Sequence, residues 1–174
     1  MPELADFVHE FRRHKKLGDR AIAELDDTCF FARPGDQVNS VALIVQHLAG
    51  NLVSRWSDFL TSDGEKPTRD RDNEFVITDR DTRASLMAAW ERGWSTLFDS
   101  LDKLSESDCS KIVTIRGEPH SVFQAMLRSA THLAFHIGQI LYLARLLRPN
   151  SPWLTIAPGQ SQSHKRSYLG PAKA

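Results

Sequence analysis

Apolar residues recur at intervals of three and four over most of this chain, the spacing of one buried helix face. In the first such segment Leu4, Phe7, Val8, Phe11, Gly18, Ile22 and Leu25 share one side. Pro2 suits its first turn, where the missing N–H would have no partner anyway. A helix is therefore predicted from about residue 2 to 25. The stretch DDTCFFARPGDQVN breaks the period, with Pro34 and Gly35 marking a turn. A second helix is predicted from Asn39 or Ser40, either of which can cap it, to about residue 60. Its stripe is Val41, Ile44, Val45, Leu48, Leu52 and Phe59.

Residues 61–80 are polar and charged and read as an exposed connection. Thr78 and Asp81 then have the spacing that opens a helix. That third helix, about 81–104, buries Leu86, Trp90, Trp94, Leu97, Leu101 and Leu104; its tryptophans and Trp56 read as core or interface aromatics. Ile112, Val113, Thr114 and Ile115 favour a strand, and Arg116, Gly117, Glu118 and Pro119 a tight reversal, so a short β-hairpin follows. The last helix starts at Ser121, which forms a capping box with Gln124. It runs to Arg148, where Pro149 stops it. The tail, about 149–174, is rich in Pro, Gly and Ser, with Trp153, Leu154 and Ile156 expected to fold back. The pattern predicts an all-α protein: a four-helix bundle with a short β-hairpin before the last helix, in one domain spanning 1–174.

Composition narrows the function. A length of 174 residues with 41% hydrophobic content suits one core. The 22 basic and 22 acidic residues balance and are dispersed along the chain, which argues against a nucleic-acid partner. No apolar run is long enough to cross a bilayer. The opening residues lack the order of a signal peptide, so a cytoplasmic location is expected. The two cysteines, Cys29 and Cys109, form no C-x-x-C pair and read as reduced thiols. Acidic neighbours on both should raise their pKa, the wrong direction for a nucleophile.

The candidate chemistry lies in histidines. His132 and His136 stand four apart on the last helix and project from one face, so both rings can hold one ion. His47 occupies a matching position on the second helix, between Ile44 and Leu48. All three would sit at the core edge, where an unpaired polar group is costly and a metal would satisfy them. Ordinary core packing is the competing explanation, since seven histidines make one such pair unsurprising. The H-E-x-x-H form is absent, so no built-in glutamate base is expected. Asn51, one turn beyond His47, and Gln139, three beyond His136, are candidates to orient a ring or a bound water. His120, near the hairpin end, is a weaker contributor; His9 and His14 diverge and read as surface residues.

The segment HLAGN, the hairpin before the last helix and HLAFHIGQI resemble the DinB/YfiT-like superfamily of metalloenzymes over about residues 4–148. The tail segment WLTIAPGQS resembles an uncharacterised bacterial branch of it. The resemblance implies that His47, His132 and His136 bind a divalent metal, often zinc or nickel, with positions open for water or substrate. It also implies frequent homodimers. Its functional range covers thiol-dependent transferases or isomerases using low-molecular-weight thiols, and hydrolase-like members.

The expectation is therefore a divalent-metal-dependent enzyme acting on a small molecule, either an S-transferase using a low-molecular-weight thiol or a hydrolase. The alternative is a non-catalytic metal-binding, stress-related interaction protein. A fourth protein ligand closing the site would favour the latter, and His164 in the tail is one residue able to supply it.

Overall fold

The computed structural model describes residues 4–162 of the chain. Over this range the protein is mostly helical, with a short two-stranded antiparallel hairpin before the last helix. The helices are α1 (Leu4–Ala23), α2 (Asp27–Phe31), α3 (Val41–Trp56), α4 (Arg83–Leu101) and α5 (Val122–Leu147); the strands are β1 (Ile112–Ile115) and β2 (Glu118–Ser121).

The four long helices arise where apolar periodicity predicts them, and their stripes merge into one core. Phe11, Leu48, Leu52, Trp56, Trp90, Trp94, Leu97, Met126 and Leu133 are all essentially inaccessible within it. α3 lies along α4, and α1 along α5. Two tryptophans bridge helices through their polar atoms. The Trp90 indole N–H donates to Asp19 on α1 at 2.8 Å, and that of Trp56 to Ser129 on α5 at 3.2 Å.

Helix ends follow local hydrogen bonding. Ser40 caps α3 by accepting from the Leu43 N–H, and Ser121 with Gln124 forms the expected capping box on α5. The start of α4 differs from expectation. Asp81 accepts from the N–H and hydroxyl of Thr78, closing a turn, and the cap falls to Thr82. The second helix also ends earlier than expected, at Trp56, two residues before Asp58 enters the left-handed region with φ 48°. A fifth helix, unexpected from periodicity, forms in the aperiodic stretch: Asp26 caps α2 by accepting from the Cys29 N–H. At one turn long, α2 carries too little apolar period to register in sequence.

Three further expectations change. His14 is buried, at 7% exposure, and its Nδ1 has no hydrogen-bond partner, so it is no surface residue. The hairpin reverses over Arg116 and Gly117 alone, with φ of 57° and 73°, the paired left-handed conformation of a tight two-residue turn. Glu118 and Pro119 therefore belong to β2, opposite Ile115 and Thr114. Among the described tail residues only Leu154 packs on the core, while Trp153 stays half exposed under the Arg145 guanidinium and Ile156 is exposed. His164 lies outside the described residues.

The largest departure is the 61–80 connection. It is no free loop but a structured cover over α3 and the hairpin. Asp63 accepts the Glu65 N–H at 2.7 Å and the Gly117 and Arg116 N–H groups at 2.8 Å each, which hold its carboxyl well below the usual range, and the Gly64 N–H donates to the Thr114 carbonyl at 2.8 Å. On its other side, the Gln46 amide donates to the Asn73 and Val76 carbonyls at 2.9 Å. Gly64 and Glu74 are buried by these contacts.

Among the described residues no helix is long and apolar enough to cross a membrane.

Candidate metal centre

α3 and α5 bring His47, His132 and His136 together. One ring nitrogen from each lies within 4.8 Å of the others, the arrangement in which three histidines can hold one metal ion. The rings stand nearly perpendicular to one another, with centroids 4.6–5.2 Å apart. His47 Nε2 and His132 Nε2 are 3.2 Å apart. Two imidazole donors on one tetrahedral ion would be separated by about 3.3 Å, given metal–nitrogen bonds of about 2.0–2.1 Å. The donor chemistry also fits: burial pushes His132 down to about 3, helped by its histidine neighbours, and burial likewise lowers His136. Both rings are thus neutral near pH 7, as ligation requires. His132 Nδ1 is buried with no partner.

Two of the rings are fixed from behind. Glu74 Oε2 accepts from His47 Nδ1–H at 2.8 Å, which directs the Nε2 lone pair toward the other two rings. Burial alone would raise the Glu74 carboxyl, but hydrogen bonds from His47 and Arg69 outweigh it and hold the group below its ordinary value. Arg69 reaches both carboxylate oxygens in a fork, at 2.7 and 2.8 Å, and also Glu65. Phe75 stacks on the His47 ring at 4.6 Å. His136 Nδ1–H donates to Gln139 Oε1 at 2.8 Å, leaving its Nε2 free.

Glu74 fits only because residue 50 is glycine. A Cβ there would collide with Glu74 Oε1 and approach its Cδ to 2.8 Å. Periodicity missed Glu74 because it sits in an aperiodic loop. Gly50 was the available signal: a glycine inside a strong helix costs about 1 kcal/mol and asks for a packing reason.

The other named residues separate. Asn51 is buried and lines the cavity beside His47, with no hydrogen bond joining it to a histidine ring. His120 turns elsewhere: its Nδ1 donates to the Glu118 carbonyl, and its Nε2 accepts from Arg128. The thiols of Cys29 and Cys109 are both raised, by partial burial first and by acidic neighbours second. Beside the cluster opens a cavity of about 260 Å³ with His47 and His132 in its wall.

Fold and site together define a mostly helical protein with a three-histidine cluster at the edge of a cavity. Residues 2–160 match the family described as "Protein of unknown function (DUF1572)", and the chain belongs to that family. A solved relative in fold is described as the crystal structure of the conserved protein of locus from Enterococcus faecalis. It superposes with a TM-score of 0.64 over 86% of this chain and 99% of that one, at 15% identity. No curated protein matches the chain.

Proposed function

We propose that this protein is a divalent-metal-dependent enzyme built on a four-helix bundle of the DinB/YfiT-like kind. The observation that carries the reading is the convergence of three histidine nitrogens within 4.8 Å beside a cavity of about 260 Å³. His47, His132 and His136 would hold the ion; three imidazoles suit zinc, nickel, iron and copper alike, and zinc or nickel is what the resemblance to that superfamily implies. Glu74 and Gln139 set the tautomers that expose Nε2 on His47 and His136. A bound divalent cation would supply Lewis acidity there, bringing the pKa of a water or a thiol toward neutrality. The cavity gives a small molecule access to that position. Transfer to a low-molecular-weight thiol and hydrolysis are the two reactions this site suits, differing in the nucleophile admitted.

A homodimer is part of the same proposal. α5 leaves Leu127, Phe135, Tyr142 and Leu146 half exposed or more, an apolar surface of the kind that pairs with a second copy.

The experiment is a paired activity screen on zinc-loaded, nickel-loaded and metal-stripped protein, with thiol conjugation of electrophiles and ester or amide hydrolysis as readouts. Activity restored by metal in one arm supports the reading. Metal bound in full with no turnover in either arm would move the protein to the non-catalytic class.

A further inference from the structure

The cavity wall has a charge that the metal reading does not use. Five arginines line it, Arg55, Arg69, Arg71, Arg116 and Arg128, and no aspartate or glutamate does. Among the described residues, two carboxylates pair with them from behind. Glu65 takes Arg55 at 3.1 Å, Arg69 at 3.2 Å and Arg116 at 3.3 Å, and Glu74 takes Arg69. Arg71 lies over the Phe75 ring, and Arg128 meets the Nε2 of His120, so neither has a carboxylate partner among the described residues. Arg55 is the most telling: its side chain is 14% exposed, and its Nη1 is buried at the Gly64 wall without any partner. A buried guanidinium N–H left unpaired is costly; Nη1 is closed to solvent as it stands, so an anion in the cavity would complete it by drawing the side chain out from the Gly64 wall.

We propose that this cavity binds a small organic anion, whose carboxylate, phosphate or sulfonate group docks on Arg55 and Arg128 while its other end reaches the histidine cluster. The assignment rests on reading the cluster as the reactive centre, and it names the substrate class of that centre. Phe59, half-buried in the same wall, offers apolar surface to the body of such a molecule. At about 30 Å³ per water, the cavity has room for roughly nine waters, comparable to an aromatic monoacid. Arginine suits the anionic end because its planar fork makes paired, charge-assisted bonds to carboxylate and phosphate oxygens.

The test is calorimetric titration of the full chain with benzoate and with phenylphosphonate, benzyl alcohol serving as the uncharged control. Each probe is titrated into zinc-loaded and metal-stripped protein, and zinc affinity is measured separately by chelator competition. Both anions are expected to bind both forms, weaken with added salt, and exceed benzyl alcohol by about tenfold or more. Arg128→Gln and Arg55→Gln should each lower anion affinity by about tenfold with zinc affinity unchanged. Arg128→Lys should keep part of it. Arg128 is exposed, so its variants test the wall even if Arg55→Gln proves unstable in a melting control. Absence of anion binding, or binding indifferent to both arginine variants, overturns the proposal. Binding that needs zinc and ignores the arginines would mean direct ligation of the ion, overturning the arginine wall while leaving the metal reading intact. Anion binding in a protein that takes up no zinc would sink the metal reading and leave the arginine wall standing.

Discussion

Replacing Glu74 with glutamine tests whether the covering loop serves the histidine cluster. The substitution keeps the volume against Gly50 and keeps an oxygen able to accept from His47 Nδ1–H, but it removes the charge. Removing a partner of a metal-ligating histidine typically lowers metal affinity 10–100-fold. Because a neutral acceptor survives, the effect should lie at the low end, about tenfold or about 1.4 kcal/mol. Glu74→Ala, with no acceptor left, should approach about 100-fold. A second cost falls on Arg69, which loses its forked partner but retains Glu65 at 3.2 Å. Breaking a buried pair outright costs about 3–5 kcal/mol, so the retained contact argues for about 2 kcal/mol, or about 4–8 °C in melting temperature for a chain of this size. Arg69→Gln separates the two effects, since it loosens the loop while leaving the His47–Glu74 hydrogen bond in place. The assay is zinc competition against a chromogenic chelator at pH 7.5, paired with thermal melts of metal-free protein. Zinc affinity within about twofold of wild type in Glu74→Gln would refute the reasoning.

Gly50→Ala should gain up to about 1 kcal/mol of helix propensity yet lose it again by evicting the Glu74 carboxylate. Its expected signature is weaker zinc binding, by chelator competition, without a higher melting temperature; unchanged binding would show that the carboxylate adapts. Metal-free protein should lose stability as pH falls below 6.5, because the unfolded chain accepts protons that buried His132, His136 and His14 refuse. For His132, lowered from 6.5 to about 3, the loss between pH 7 and pH 5 is about 2 kcal/mol, readable in urea midpoints. A midpoint that rises or stays level would contradict the burial of neutral rings. Phe135→Glu, at a position 68% exposed on α5, should convert a dimer to a monomer in sedimentation velocity while leaving the melting curve of the helices intact. A wild-type monomer would remove the dimer from the proposal.

What could be read from sequence follows from where the information is periodic. The long helices and the facing of His47 toward His132 and His136 were legible because a helix converts spacing into direction. The α5 capping box and Gln139 were legible for the same reason, being three residues from Ser121 and His136. Glu74 and the arginine wall were not, because loop residues have no period and their positions come from tertiary bonds such as Gly64 to Thr114 and Asp63 to Arg116. A mostly polar loop of 20 residues lacking long elements of its own was itself a clue, as such loops in compact domains commonly carry function. His14 misled for a different reason. It lies on the buried side of α1 three residues after Phe11, and its divergence from His9 does not say which of the two faces the core.

The most direct test of the account is the metal-to-protein ratio by elemental analysis, on protein purified without affinity tag or chelator, for wild type and for His132→Ala/His136→Ala. The account predicts about one divalent ion per chain in wild type and loss of that ion in the variant, with helical content retained. No ion in wild type, and none taken up on titration with zinc or nickel, would contradict it.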